Sequence, residues 1–440
     1  MLSSGIAHLL FILEDASVTM GEDATVEFSD IEAAIDRLDD PTVVKQTPIE
    51  RSYSLGNFAD ARVFLKMEHL QWTGSFKPRG AYNKLRKALD AGDPLEHAIA
   101  ASAGNHAQGV ALAATRLEID ATIVMPQTAP LTKIEATRGY GATVELHGQD
   151  FQAALMHANS LAEAEPTATF VHAYDDPDIV AGQGTLGVEM YEQLPEVDTV
   201  IVPIGGGGLI GGISTAFAEL APDVRIVGVQ AEAASTVHES LDKGTPQLLS
   251  SVNTIADGIA TGGISDLTLS LIDAHVDEII EVSDPEIAGS ILLLLERSKQ
   301  LVEGAGAASV AALLSDELDV SGETVMPVLG GGNLDMTMLR TVLLHALAER
   351  EQLLQLRVRI KDEPGRMSEL SGVLAEHHAN ILSVRHERAV ADLDVGEAYL
   401  VFMVETAGPA HARGIRDTIH ELGYQVSVDN IIIEASSNHA

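Results

Sequence analysis

Two hydrophobic periods alternate along the chain from about Val26 to about residue 335. Ile31, Ala34, Ile35 and Leu38 recur at helical spacing behind Ser29-Asp30, a capping pair with acids in the first turn, so a helix is expected to open at Ser29. Short apolar runs follow. Those at 61–66 and 97–101 read as strands. Those at 121–125, 142–146, 199–203, 224–229 and 324–329 read as buried parallel strands rich in β-branched residues. Helical patterns, such as 210–217 and 287–300, lie between them. Strand–helix alternation of this kind predicts α/β layers.

The texture changes after Leu347. Leu354, Leu356, Val358 and Ile360 alternate with polar residues, the pattern of a half-buried strand. A turn at Asp362-Glu363-Pro364-Gly365 follows. Met367, Leu370, Val373 and Leu374 then mark one helix face, and 381–384 and 398–404 read as two strands. Ile415, Ile419 and Leu422 mark a second helix, and 424–428 closes the unit. The order β-α-β-β-α-β predicts a separate ferredoxin-like domain. The expected division is a tail over 1–25, a catalytic domain over 26–348 and a small domain over 349–440, linked at Glu349-Arg350-Glu351. The first 24 residues carry no motif, and Met20 is a second candidate initiator.

Charge narrows the partners. The chain has 440 residues, 65 acidic against 27 basic, and a net charge of −38. The acids run along the whole length, so nucleic acid is not expected as a partner. A hydrated acidic surface with only nine lysines suits a salt-rich, halophilic cytoplasm. No apolar run approaches the roughly 20 residues that span a bilayer, and the short run at 7–13 lacks the positive charge ahead of it that a secretory leader needs. A cytoplasmic location is expected. With no cysteine, disulfides and thiolate metal sites are excluded.

Three stretches carry candidate chemistry. Gly74-Ser75-Phe76-Lys77-Pro78-Arg79-Gly80 sets one lysine among small and rigid residues. A lysine held in an apolar pocket has a lowered pKa and attacks carbonyls; alone, the plainer reading, a surface lysine before a helix, would prevail, and it yields only because further stretches fit the same chemistry. Ser102-Ala103-Gly104-Asn105-His106 follows a strand and enters a helix whose first N–H groups suit a carboxylate, with Asn105 able to donate to a phenolic oxygen; a plain turn is as good a reading. Gly205-Gly206-Gly207-Gly208-Leu209, between a strand and a helix, leaves backbone N–H groups free to cradle a phosphate. Glu303 stands alone in an apolar, glycine-rich run, a helix cap or a site residue, and Gly330-Gly331-Gly332-Asn333 follows the last strand. An imine-forming lysine, a phosphate nest and a carboxylate nest together point to pyridoxal phosphate acting on an amino acid.

On these stretches, with Gly182-Gln183-Gly184-Thr185 and Thr254-Ile255-Ala256-Asp257-Gly258, the chain resembles the fold-type II pyridoxal-phosphate enzymes, and within them the threonine dehydratases, with serine racemase close by. The resemblance covers about residues 40 to 345. The last domain resembles an ACT domain through Asp362, Pro364-Gly365 and Asn380-Ile381. It implies two α/β subdomains of the tryptophan-synthase-β type. It also implies that Lys77 joins the cofactor through an imine with Phe76 beside the ring, and that Asn105 bonds the ring hydroxyl oxygen. Gly205, Gly206, Gly207, Gly208 and Leu209 would take the phosphate, and Ser102, Ala103, Gly104, Asn105 and His106 the substrate carboxylate. Gly258 and Glu303 would lie on the pyridine side. The implied reaction is dehydration of L-threonine, secondarily L-serine, to a 2-oxo acid and ammonia at the entry to isoleucine synthesis. Isoleucine or valine would act as effector near Asp362, Pro364, Gly365, Asn380 and Ile381, in a homo-oligomer, a dimer or tetramer.

Three departures from that pattern matter. Gly330 stands where relatives carry a Ser or Cys that bonds the ring nitrogen. Ala103 stands where racemases carry a proton-giving serine, which favours elimination. Gln230 and Thr236 stand where cation-binding relatives carry acids, so no metal is expected. Two other readings stay open: a catabolic serine/threonine dehydratase, and a non-catalytic amino-acid sensor.

Overall fold

The computed structural model describes residues 25–388 and 390–429. The expectations for residues 1–24, including Met20, lie outside them. The chain packs as two compact units. The first ends at residue 333 and omits 291–296; those six residues belong with 334 onward in the second.

The first unit holds two sheets. A four-stranded parallel sheet runs in the order Thr143–Leu146, Asp120–Met125, His97–Ala101, Ala168–Phe170. A six-stranded sheet runs in the order Ile49–Arg51, Arg62–Lys66, Thr324–Pro327, Thr199–Pro203, Arg225–Ala231, Glu278–Val282. Its first pair is antiparallel and the rest are parallel. The central parallel strands are buried because helices cover both faces of such a sheet; Thr199–Pro203 is buried at every residue, whereas the edge strand Thr143–Leu146, expected to be buried, exposes Thr143 and Leu146 because it has a neighbour on one side only. Ile49–Arg51, Ala168–Phe170 and Glu278–Val282 were not expected. Two are three residues long, too short to show a period, and the third breaks its apolar run with two glutamates.

Helix boundaries moved for local reasons. The first described helix is Phe28–Arg37, not one capped at Ser29; the Asp30 carboxylate reaches back to accept from the Glu27 N–H at 3.0 Å. The helix expected over 287–300 runs instead as Asp284–Leu293, and a wider π turn, Leu294–Ser298, replaces its end. The helix after the glycine run begins at Gly208 and ends at Leu220, so Gly208 is its first residue.

The second unit carries an antiparallel sheet in the order Asn380–Glu387, Glu397–Glu405, Leu353–Lys361, Gln425–Asp429. Helices Arg366–Glu376 and Pro409–Glu421 cover one face. Leu354, Leu356, Val358 and Ile360, the residues of the alternating pattern, meet Leu370, Leu374, Ile415 and Ile419 in its core. This is the expected β-α-β-β-α-β order.

Candidate active site

Lys77 stands at the entry to helix Pro78–Ala91, where proline suits the first turn because its missing N–H has no helical partner anyway. The stretch before it is tied to the last strand's loop: Ser75 bridges Gly331, and the Phe76 N–H donates to the Gly330 carbonyl at 3.2 Å. The Lys77 side chain is half-buried. Its Nζ donates to the Ala173 carbonyl at 3.0 Å and lies 5.1 Å from the centre of the Phe76 ring. Burial pushes its pKa down to about 8, against the pull of Glu303. A neutral amine is thereby within reach near pH 8.

The glycine loop follows strand Thr199–Pro203, at the carboxyl end of the parallel sheet, where such folds bind ligands. Among the described residues, the N–H groups of Gly205, Gly206, Gly207, Gly208 and Leu209 meet no protein acceptor. Gly207 takes φ +89°, a conformation glycine adopts without strain. A Cβ on Gly206 would enter the Tyr174 ring at 2.1 Å, and one on Gly205 would lie 3.0 Å from Ile259 Cα. Side chains are therefore excluded there, and bare amides at a helix N-terminus face outward from it, a donor set made for a phosphate.

The second nest opens helix Asn105–Arg116. Ser102 Oγ accepts from the Gly104 N–H at 3.1 Å. His106 donates through Nε2 to the Val171 carbonyl at 2.8 Å; burial, then the nearby Lys77, push its pKa down to about 3, so the ring is neutral. Ala103 packs against the core of the smaller sheet. The Asn105 amide donates to Glu303 Oε1 at 2.6 Å. Burial raises the Glu303 carboxyl to about 7, although the Asn105 bond opposes this.

The expected cofactor residues therefore fall at one place. Phe76 and Leu209 flank Gly330, and Gly258 lies against both Glu303 and Gly205. Glu303 accepts from the Asn105 amide and lies against Gly258, its expected neighbour. The loop after strand Ala168–Phe170 was missed altogether. Ala173 receives the lysine, Tyr174 walls the glycine loop, and His172 Nδ1 accepts from the N–H groups of Tyr174 and Asp175 at 3.3 and 2.7 Å. Its position just before Pro177 is the one clue the sequence offered.

The expected effector residues divide. Asp362, Pro364 and Gly365 line a cavity of about 400 Å³ with Arg366, His386 and Arg388. Arg388 Nε donates to the Asp362 carboxylate at 2.7 Å, which with His386 at 3.3 Å holds its pKa below the usual range. Asn380 lies at the other end of the sheet, paired with Glu405 and donating to its Oε2 at 2.7 Å, and Ile381 packs on the domain core. Gln230 Oε1 accepts from the N–H groups of Thr236 and Val237 at 3.1 and 2.9 Å. Elsewhere Glu145, His147 and His157 cluster, and the two rings stack 3.9 Å apart at 11°. His157 Nε2 lies 2.6 Å from Glu145 Oε1.

This arrangement is that of an enzyme built around an aldehyde-bearing phosphate ester. Residues 41–331 match the family model of the pyridoxal-phosphate dependent enzymes, and residues 354–424 match that of the ACT domain. The chain belongs to the pyridoxal-phosphate dependent enzymes, its cofactor is pyridoxal phosphate, and its second unit carries an ACT domain. It is 43% identical to the L-threonine ammonia-lyase of Thermotoga maritima over 88% of its own length and 96% of that protein's. It is 42% identical to the catabolic L-threonine dehydratase TdcB of Escherichia coli K12, over 67% and 89%. The processed threonine deaminase isoform 2 of Solanum lycopersicum superposes with a TM-score of 0.68 at 34% identity, over 74% of this chain and 91% of that one. The residues present fit the cofactor: free amides for its phosphate, a lysine of lowered pKa for its aldehyde and an amide N–H for its ring oxygen.

Proposed function

We propose that the protein is a threonine ammonia-lyase that converts L-threonine to 2-oxobutanoate and ammonia, with L-serine as a secondary substrate. The observation that carries this reading is the Lys77 amine, its pKa lowered to about 8, together with unpaired amides at Gly205–Gly208 and at Ala103, Asn105 and His106. Both curated relatives named above support the substrate.

Pyridoxal phosphate, when bound, supplies an aldehyde for amines and a ring that takes up the charge left as the substrate Cα–H bond breaks. The protein does the rest. The amides of Gly205 to Leu209 hold the phosphate, and Asn105 donates to the ring oxygen. The amides of Ala103, Asn105 and His106 in the Ser102–His106 stretch, which meet no protein acceptor among the described residues, orient the substrate carboxylate. Lys77, as a neutral amine, takes the Cα proton at Nζ. Ala103 has no proton to give to the opposite face, so elimination prevails over racemisation.

The ACT domain and the Asp362 cavity support feedback by an amino acid, isoleucine or valine; on this reading the protein stands at the start of isoleucine synthesis, in a cytoplasmic homo-oligomer. The second reading is catabolic, and the name of the E. coli relative favours it. Among the described residues no helix is long and apolar enough to cross a membrane. An assay of 2-oxobutanoate from threonine and of pyruvate from serine, in high and low salt, tests substrate and halophily together. Inert threonine beside fast serine turnover sinks the primary substrate. Lys77→Ala must abolish turnover, and a sensor would show none to abolish. Inhibition by isoleucine, lost in Asp362→Ala, supports the biosynthetic role; no response in the intact chain retires it.

A further inference from the structure

Glu303, Asn333 and Asn105 close a triangle of hydrogen bonds. Asn333 Nδ2 donates to Asn105 Oδ1 at 2.8 Å and to the Thr73 carbonyl at 2.7 Å. Asn105 Nδ2 donates to Glu303 Oε1 at 2.6 Å, and the Asn333 backbone N–H donates to the same carboxylate. The Thr73 carbonyl can only accept, so it fixes which end of the Asn333 amide is nitrogen. That nitrogen spends both of its hydrogens, one on Thr73 and one on Asn105. Asn105 must then turn its oxygen to Asn333 and its nitrogen to Glu303, with one N–H left uncommitted.

The surrounding glycines are shaped to this triangle. A Cβ on Gly331 would lie 2.2 Å from Glu303 Oε1 and 2.9 Å from Asn105 Nδ2. A Cβ on Gly74, at φ +72°, would lie 2.5 Å from Asn333 Oδ1. The Glu303 N–H donates to the Gly331 carbonyl at 3.1 Å, and the Gly332 N–H to the Gly74 carbonyl at 2.9 Å. The last glycine run thus stands beside the Lys77 loop with room for three polar side chains and no others.

We propose that Asn333 and Glu303 are positioning residues that lock the Asn105 amide in the orientation that presents its free N–H to the cofactor's ring oxygen. This rests on Asn105 being that donor. An amide free to turn would offer its oxygen to another oxygen for part of the time, and the ring oxygen would lose its partner. Glu303 makes the lock sensitive to pH, because the ionised carboxylate is the stronger acceptor.

The test uses the holoenzyme of Asn333→Ala and of the isosteric Asn333→Asp, with Asn105→Ala and Glu303→Gln beside them. The aspartate sets an acceptor against Asn105 Oδ1 and keeps the volume, so it decides the matter if the alanine variant does not fold. Expected, in the variants that stay folded, is a displaced pH midpoint of the bound cofactor's visible band. The kcat should fall roughly tenfold, as the loss of a buried hydrogen bond implies, with KM for threonine retained. Glu303→Gln should remove the spectral change near pH 7. A wild-type band and kcat in folded Asn333→Asp overturn the proposal if Asn105→Ala moves them. If Asn105→Ala leaves the band unmoved as well, Asn105 is not the donor, and both readings fall.

Discussion

Lys77 Nζ donates to the Ala173 carbonyl at 3.0 Å, so the reactive amine is parked on a main-chain oxygen. Burial holds its pKa at about 8, below the ordinary 10.5. Between these two values the unfolded chain binds more protons than the folded one, so this group's contribution to stability grows as pH rises from 8 to 10.5. The cofactor-free protein should therefore gain relative to Lys77→Met over that interval. The gain is at most about 3 kcal/mol, less what the open side of the half-buried chain recovers from water. Chemical denaturation of both forms across pH checks it; parallel curves would show that the amine is not held neutral.

Gly109 touches the same lysine. A Cβ there would lie 2.9 Å from Lys77 Cβ, 3.0 Å from its carbonyl carbon and 3.2 Å from Pro78 N. Two of these are backbone atoms that cannot step aside. Gly109→Ala should cost about 1–3 kcal/mol, the usual cost of overpacking, and lower kcat by moving the amine. Thermal unfolding with turnover measures both; an alanine variant of full stability and activity would mean that the helix shifts freely.

Much of this site was legible because its chemistry uses local composition. A lysine between Phe76 and Pro78 and four successive glycines announce themselves, and β-branched runs such as Thr199–Pro203 mark buried strands. Ala173 was not legible, since it acts through a carbonyl that every residue has. Tyr174 acts as a wall for glycines far along the chain. The partners of Asn105 stand 198 and 228 residues away, and nothing local couples them. Asn380 was grouped with Asp362 by resemblance alone, and the sheet register puts them at opposite ends.

Lys66 and Glu68 are both fully buried. Arg79 grips Glu68 with Nε and Nη2 at 2.9 and 2.8 Å and reaches Glu189 at 2.7 Å; Lys66 also pairs with Glu189. Two cations and two anions balance beneath the Lys77 helix. Burial alone would raise the Glu68 carboxyl, but Arg79 and then Lys66 outweigh it and hold the pKa low. Glu68→Gln leaves an uncompensated positive charge and should cost about 3–5 kcal/mol. Pairing it with Arg79→Met should recover part of that loss. Denaturant melts of the two single variants and the double one decide it, and additive losses would mean that the charges act independently.

Gly330 has room for what it lacks. A Cβ there would meet Phe76 Cδ1 at 3.5 Å, Phe76 Cε1 at 3.7 Å and Leu209 Cδ2 at 3.8 Å, all ordinary contacts, and its φ lies outside the glycine-only region. Gly330→Ser should therefore fold with an unchanged melting temperature. If the missing hydroxyl limits turnover, serine should raise kcat by up to roughly tenfold, the worth of one recovered hydrogen bond near 1.4 kcal/mol. Gly330→Ala fills the same space without the hydroxyl and should leave kcat where it was. The comparison isolates the bond from the bulk. Equal rates in the serine and alanine variants would show that the ring nitrogen has no need of a partner at this position.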